Sequence, residues 1–222
     1  MRHEEWGIGN EEKRGKAKRE MNLLQNMTAA LAPAGLNLIG TTPVADYEAL
    51  VASQYHIGPL HPTAKTVIVI GNGGGEFWEH FRDYADARPD YFQQHQHPLD
   101  AYTVEVIEST LTHHLDLTRA RYRYIYPFQF FDGLSVSFMH LTQAAGLAGP
   151  SILGVMIHPE YGPWMALRAA ILIDQELSVP PVAPGFDPCP SCTDRACMAA
   201  CPASAIDVAK GWDIPSCVQH RV

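Results

Sequence analysis

The sequence predicts an α/β layered domain with a mixed sheet, followed by a small cysteine-rich segment. Strand-like and helix-like stretches alternate early in the chain, whereas two late strand-like stretches are adjacent and joined by a short turn. A Pro-rich stretch then precedes the cysteines, all of which lie after residue 188. We therefore expect an extension over residues 1–20, an α/β domain over 21–177, a linker over 178–188 and a metal or redox segment over 189–222.

The composition is that of a globular protein with a core of its own. Of 222 residues, 46% are hydrophobic and 18% are charged, which excludes a wholly disordered chain. No apolar run is long enough to span a membrane, and the charged residues 1–20 do not form a secretory signal. Five cysteines are an odd number, which argues against a disulfide framework and predicts a reducing, cytoplasmic location.

The charge of the chain argues against a nucleic-acid partner. The chain has 16 Lys and Arg residues against 24 Asp and Glu residues, for a net charge of −8. Residues 1–20 hold six of the basic and five of the acidic residues, so the rest of the chain is more acidic than the whole. Binding to nucleic acid depends on neutralising phosphates with Lys and Arg. We expect a small molecule or a redox protein as the partner instead.

The chain begins with the extension over 1–20, which mixes Gly with charged residues and is expected to be disordered. Met21 is an alternative start of the chain, because a helical pattern follows it. A Pro-Ala-Gly turn that ends at Gly35 terminates this helix. A short strand over 36–40 and a helix over 44–54 are predicted next.

The clearest strand is predicted over Lys65–Gly71, a β-branched run typical of a strand buried on both faces. It leads through a glycine run over 71–75 into a helix whose aromatic residues recur three and four positions apart. The N–H groups of such a run can bind a phosphate at a helix N-terminus, but a plain turn is the simpler explanation. The run is not a dinucleotide fingerprint, because Glu76 occupies the third glycine position.

The second half of the domain is predicted from the same periodicities. The expected helices cover 98–117 and 134–147, the second of which ends at Gly146. The expected strands cover 121–127, 152–158 and 164–174, and a turn with the sequence PEYGP joins the last two.

The cysteine segment reads CPSCTDRACMAACPASAI, which is Cys-x2-Cys-x4-Cys-x3-Cys-Pro. Thiolates this close in sequence can converge on a compact inorganic cluster, with N–H groups of the short loops directed at its sulfurs. The pattern resembles that of bacterial ferredoxins, with two extra residues in the middle loop. We therefore predict a [4Fe–4S] cluster. A structural zinc site is the alternative, although the spacing of zinc ribbons is not found.

The predicted cluster ligands are Cys189, Cys192, Cys197 and Cys201. In ferredoxins with two clusters, the cysteine before Pro serves the other cluster, so Cys217 is an alternative fourth ligand. Five thiols support one cluster, since two clusters would need eight. Either a second cluster has been lost or the sequence is truncated.

The residues before the cysteines resemble known families. The stretch AAGLAGPSILGVMIHPEYGPWMALRAAILIDQEL over 144–177, followed by the cysteines, resembles epoxyqueuosine reductases and reductive dehalogenases. Part of it, IHPEYGPWMALRAAIL, is also similar to CblC-type cobalamin-processing proteins. The resemblance covers residues 36–217 and is strongest over 132–206. It implies a nitroreductase-like fold that binds cobalamin with its lower base detached.

The resemblance also implies roles for four residues. Asp132 matches an aspartate that donates a proton in epoxyqueuosine reductases, with a helix N-cap as the simpler alternative. His140 and His158 match CblC-type histidines and are assigned to cofactor binding, with a hydrogen-bonded buried residue and a turn residue as the respective alternatives. Arg168 matches a CblC-type arginine associated with glutathione use. Its charge lies on an otherwise apolar strand and needs an anionic partner.

Three functions are compatible with these features. The first is a corrinoid-handling oxidoreductase in which the cluster passes electrons to a bound cobalamin and Asp132 supplies a proton to the substrate. The second is a non-enzymatic, ferredoxin-like electron carrier. The third is a structural metal-binding domain. We predict the first and keep the second as the alternative.

Overall fold

The structure is a computed structural model that describes residues 23–131, 133–177, 185–209 and 211–220. Its centre is a four-stranded sheet in the order β1-β2-β4-β3. The strands are β1 (Leu38–Pro43), β2 (Thr66–Gly73), β3 (Tyr122–Ile125) and β4 (Met165–Ile173), and a two-stranded ribbon in the cysteine segment adds β5 (Ile206–Asp207) and β6 (Gly211–Trp212).

Helices cover both faces of the sheet, and two further short helices lie in the cysteine segment. In chain order they are α1 (residues 23–31), α2 (Val44–Glu48), α3 (Glu76–Asp86), α4 (Tyr91–Gln94), α5 (Pro98–Asp116), α6 (Phe138–Ala144), α7 (Ala196–Ala199) and α8 (Ile214–His220). Two short 3₁₀ turns, Ala32–Ala34 and Ser53–Tyr55, precede β1 and β2. In the part of the chain that the structure describes, no helix is both long and apolar enough to cross a membrane.

The core consists of two layers separated by the sheet. Alternate residues of β2 face opposite sides, so that Ile68 and Ile70 pack with α1, α3 and α5, whereas Val67 and Val69 pack with α2 and α6. All eight residues of β2 are buried. The prediction of a strand buried on both faces is confirmed.

The predicted mixed sheet is wrong in its strand directions. β1 and β4 both pair with β2 in the antiparallel sense, and β3 pairs with β4 in the same way. The β-branched run of β2 indicated burial on both faces, but helices that cover both faces produce the same pattern for either strand direction.

The predicted strand over 152–158 is also wrong. The chain turns at Gly154, whose φ of +71° is left-handed, and the Ser151 hydroxyl donates to the Val155 carbonyl oxygen at 2.7 Å. Within the described residues, this segment makes only isolated bridges. The apolar residues between Ile152 and Ile157 therefore belong to a loop that packs against other parts of the chain.

A β-bulge interrupts β4 at Arg168. Ile70 of β2 pairs with Ala169, whereas the next residue, Gly71, pairs with Leu167. Arg168 therefore has no partner in the ladder, and the alternation of faces along β4 is reversed at this point. Leu167 packs toward α2 and α6, and Arg168 turns toward α3 and α5.

Candidate functional site

Arg168 and the turn that contains His158 lie at one end of the sheet. Here β2 ends at Gly73, which pairs with the first residue of β4, Met165. β3 ends at the same side, because Ile125 pairs with Ala170 and the chain then continues past the bulge. The loops after β2 and β3 and before β4 therefore meet at this end, which we call the loop end of the sheet.

Arg168 is held rigidly at the loop end. Its Nε donates to Asn72 Oδ1 at 2.6 Å, and its guanidinium carbon lies 4.4 Å above the centre of the Phe77 ring. Asn72 is buried, so this bond fixes the plane of the guanidinium. Burial lowers the pKa of Arg168, and the negative charge of Asp100 partly offsets this shift. The two terminal nitrogens have no hydrogen-bond partner among the described residues.

The free side of the Arg168 guanidinium faces a cavity of about 220 Å³. Its other walls are Asp100 and Thr103 of α5, Pro127 and Phe128 after β3, and Leu167. This volume is below the roughly 300–1,000 Å³ of pockets for drug-sized ligands. The cavity can therefore hold a small anion or one polar arm of a larger molecule, and not a corrin ring.

His158 forms a turn rather than facing a cavity. Its Nδ1 accepts the N–H groups of Glu160 at 3.0 Å and Tyr161 at 3.2 Å, and its ring lies against the Tyr161 ring. Burial lowers the pKa of His158, with Glu160 acting in the opposite direction. An accepting Nδ1 leaves the proton of the neutral ring on Nε2. These contacts agree with the turn alternative and leave Nε2 as a hydrogen-bond donor.

His140 lies on α6, on the face of the sheet opposite Arg168. It is half-buried, and its Nδ1 is 2.7 Å from the Ser137 hydroxyl oxygen. The alternative of a hydrogen-bonded histidine fits this position. The structure therefore does not bring His140 and Arg168 to one cavity.

Asp132 lies outside the described residues. Its neighbour Phe131 packs with the α2 and α6 side of the core, and the Arg123 guanidinium lies 5.2 Å from the centre of its ring. Helix α6 begins at Phe138, with Ser137 at its N-cap position. The helix that the sequence predicted directly after Asp132 therefore begins later than expected.

The glycine run after β2 uses its N–H groups internally. Gly73 N–H donates to Asn37 Oδ1 at 2.8 Å, and Gly74 N–H donates to the Trp164 carbonyl oxygen at 2.9 Å. A side chain at Gly73 would collide with the Tyr161 ring. The run is thus a close-packed turn, and a phosphate would have to displace these bonds.

Three of the predicted cluster ligands share one cavity. Cys189, Cys192 and Cys197 line a space of about 210 Å³ together with the apolar side chains of Ile152 and Val208. All five cysteines are free thiols. Cys201 and Cys217 are half-buried and are not among the residues that line this cavity.

Backbone N–H groups point at two of the thiols. Ile152 N–H donates to Cys189 Sγ at 3.5 Å, and Ala205 N–H donates to Cys201 Sγ at 3.3 Å. Such bonds stabilise thiolates that hold an iron–sulfur cluster. Arg195 also lines the cavity, in a left-handed conformation with a φ of +43°, and adds a positive charge beside the thiols.

The thiols are compatible with a cluster but do not form a compact metal site. Among residues 23–131, 133–177, 185–209 and 211–220, no group of three His, Cys, Asp or Glu side chains is arranged to hold a metal ion. A shared thiol cavity with apolar walls and N–H donors fits a polynuclear cluster better than a single zinc ion. The cluster itself stays a prediction.

Sequence reasoning missed the partners of these residues. Asn72 and Asp100, which flank Arg168, carry no motif of their own, and their relation to it follows from the bulge in β4. Ile152 was assigned to a strand, although its N–H reaches Cys189. A Gly within an apolar stretch, as at Gly154, is the sequence signal that could have indicated a loop there.

Comparison with solved structures identifies the fold. A B12-trafficking protein CblC from C. elegans aligns with a TM-score of 0.62 at 14% identity, over 79% of this chain and 77% of that chain. An epoxyqueuosine reductase from Streptococcus thermophilus aligns with a TM-score of 0.56 at 16% identity, over 89% and 56%. A second epoxyqueuosine reductase structure aligns with a TM-score of 0.51 at 17% identity, over 84% and 53%.

These similarities show a shared fold and no more. The chain spans little more than half the length of the two epoxyqueuosine reductases. No protein-family model matches the sequence, and no curated protein matches it. The alignment with a reductive dehalogenase has a TM-score of only 0.44, so that part of the predicted resemblance stays an expectation. The predicted α/β fold of the CblC and epoxyqueuosine reductase group is confirmed.

Proposed function

We propose that this protein is an iron–sulfur redox protein that handles a corrinoid, with a [4Fe–4S] cluster that delivers electrons to a bound cobalamin. The observation that carries the proposal is the shared cavity of Cys189, Cys192 and Cys197. That cavity lies against a loop of an α/β domain whose fold is shared with a B12-trafficking protein.

The cysteine segment would hold the cluster. Cys189, Cys192, Cys197 and Cys201 are the proposed ligands, and the N–H groups of Ile152 and Ala205 support two of them. A [4Fe–4S] cluster supplies single electrons at low potential. The apolar walls of the cavity would keep water from the sulfurs of the cluster. Exclusion of water favours the redox state of the cluster with the less negative net charge.

The loop end of the sheet would hold the corrinoid. The Arg168 cavity is too small for the ring, so the ring would lie across the open surface beside it. Trp164 is 79% exposed and Phe130 is 95% exposed on the loops that meet there. Exposed aromatic side chains beside a free guanidinium suit a ligand with a flat apolar body and polar arms.

Arg168 and His158 have proposed roles at this end, and a third role is proposed for Asp132. Arg168 would bind a polar or anionic arm of the ligand through its free terminal nitrogens. Asp132 would donate a proton to the substrate, which a two-electron reduction requires. His158 would contribute a donated hydrogen bond from Nε2.

The alternative is a ferredoxin-like electron carrier without a corrinoid. The small volume of the Arg168 cavity favours it, because a preformed pocket for a ring is not found there. In that case the cluster would exchange electrons with a redox protein, and the loop end of the sheet would have no ligand of corrinoid size.

An anaerobic titration of the iron-reconstituted chain with cob(II)alamin tests the proposal. Visible absorption and electron paramagnetic resonance are recorded after each addition. We expect a base-off spectrum that saturates near one equivalent. The variant Arg168→Gln should require a higher cob(II)alamin concentration, whereas Arg121→Gln, on the exposed side of Asp174, should not.

Two outcomes contradict the proposal in different ways. A reducible cluster without any change in the cobalamin spectrum would leave the electron-carrier alternative. A chain that takes up neither iron nor acid-labile sulfide would remove the redox function altogether.

A further inference from the structure

Two glycines on one loop of the α/β domain lie in close contact with the part of the chain around the cysteines. A side chain at Gly149 would collide with the backbone of Phe186, and one at Gly154 would collide with the Trp212 ring. The loop thus approaches Phe186, which precedes the first cysteine, and Trp212, which follows Cys201, more closely than a side chain would allow.

Between these glycines lies the hydrogen bond from Ile152 to the cysteine segment. Ile152 N–H donates to Cys189 Sγ at 3.5 Å, and Ile152 is one of the residues that line the cavity. The donor belongs to the α/β domain and the acceptor to the segment after the linker. Among the residues that the structure describes, this hydrogen bond is the one that joins the domain to a proposed cluster ligand.

We propose that the Ile152 N–H couples the docking of the cysteine segment to the redox state of the cluster and makes the cluster easier to reduce. The inference rests on the proposed function only in assuming that Cys189 holds a cluster. It does not require a corrinoid.

The coupling follows from charge. One-electron reduction, by dithionite or by a protein donor, adds an electron to the cluster without forming or breaking a bond, and the sulfur ligands become more negative. A hydrogen bond from an N–H group to Cys189 Sγ therefore becomes stronger on reduction and raises the reduction potential. By linkage, the reduced cluster must hold the segment more tightly against Gly149 and Gly154.

Redox titration of cluster-loaded variants tests this. Ile152→Pro removes the backbone N–H donor, whereas Ile152→Val keeps this donor and an apolar residue of similar size beside the thiol cavity. Gly149→Ala pushes Phe186 away, and Gly185→Ala is its matched control, because a side chain at Gly185 has open space. At a fixed applied potential, we expect a severalfold lower ratio of reduced to oxidised cluster in Ile152→Pro and Gly149→Ala, and an unchanged ratio in the two controls.

A second measurement uses the unmodified chain, in case a variant fails to assemble. Hydrogen exchange of a peptide that covers residues 149–154 should be slower after reduction with dithionite than in the oxidised chain. Equal exchange in both states would overturn the coupling. So would unchanged potentials in Ile152→Pro and Gly149→Ala at full iron content.

Failure of the proposed function has a separate signature. A wild-type chain without iron and sulfide would overturn both proposals, whereas a cluster with unaltered potentials in the variants would overturn this inference alone. A cluster without cobalamin binding would leave this inference standing.

Discussion

Arg168 shows how one residue obtains a free positive charge inside a protein. An arginine on a regular β4 would alternate to the α2 and α6 face, but the bulge turns it toward α3. Asn72 then occupies one nitrogen and Phe77 covers one face of the guanidinium. Asp100 is near enough to influence the pKa of Arg168 without forming an ion pair with it in the described structure. The terminal nitrogens are left for a ligand.

Replacing this arginine with lysine should separate its charge from its shape. Arg168→Lys keeps the positive charge but loses the bond to the buried Asn72, which we expect to lower the free energy of unfolding by about 1–2 kcal/mol. It also loses the forked donor, so cobalamin binding should weaken about tenfold. Denaturant unfolding and the cob(II)alamin titration measure the two effects.

The exposed Arg121 provides the control for that substitution. Its side chain is 73% exposed and pairs with Asp174 at 2.9 Å. Arg121→Lys should change stability by less than about 1 kcal/mol, as surface ion pairs do, and should leave cobalamin binding unaltered. Equal effects of both substitutions would contradict a special role of Arg168.

His158 makes the turn before β4 sensitive to pH. Burial lowers its pKa from the ordinary value of 6.5, so the unfolded chain binds a proton more readily than the folded one. The stability that this turn contributes is present above pH 6.5 and is lost as the pH falls through the lowered pKa. A protonated Nδ1 cannot accept the N–H groups of Glu160 and Tyr161.

Substitution of His158 by asparagine should remove this dependence. An amide oxygen can accept the same N–H groups, so the midpoint of thermal unfolding of His158→Asn should stay near that of the wild type at neutral pH. It should then fall less as the pH is lowered below 6.5. In Glu160→Gln, which removes the charge that raises the pKa, the loss should begin at the same pH but continue to lower pH and become larger. Parallel pH profiles for all three chains would contradict this account.

At the scale of elements, hydrophobic periodicity predicted the strand and the helix whose buried residues recur regularly. It missed the features that depend on turns and irregularities of the backbone. The boundaries of β2 and α5 were predicted within a few residues, because the positions of their apolar residues follow the pattern of a buried strand or helix. The directions of the strands were not, because burial on both faces fits either direction. The amino-acid sequence of β4 does not indicate the bulge at Arg168, so the face to which this residue turns could not be predicted.

The glycine run after β2 is an element whose role changed from a possible ligand loop to a packed turn. Gly73→Ala would press a methyl group into the Tyr161 ring, and we expect it to lower the free energy of unfolding by about 1–3 kcal/mol. Gly58→Ala, where a side chain meets nothing, should change it by less than about 0.5 kcal/mol. Denaturant unfolding measures both. Similar values for the two variants would show that the turn is loosely packed.

At the scale of the whole molecule, the site depends on contacts between segments far apart in sequence. Cysteine spacing predicted a thiol cluster, and three of the four thiols do share a cavity. The loop against which they dock was predicted as a strand, because its contacts with Phe186, Cys189 and Trp212 are long-range and have no local signature. Local patterns can therefore indicate the ligands of such a site, but not the surface that tunes them.

The identity of the fourth thiol is the last question at this scale. Cys197 lies on the short helix α7, and Cys201 follows two residues after the end of this helix. Its Sγ also accepts the Ala205 N–H. Cys217 lies on α8, outside the Cys-x2-Cys-x4-Cys-x3-Cys run. We therefore expect Cys201→Ala to lose the iron and acid-labile sulfide of the reconstituted chain and Cys217→Ala to keep them. Loss of the cluster in Cys217→Ala with retention in Cys201→Ala would assign the fourth ligand to α8, and the docking of that helix would then form part of the cluster site.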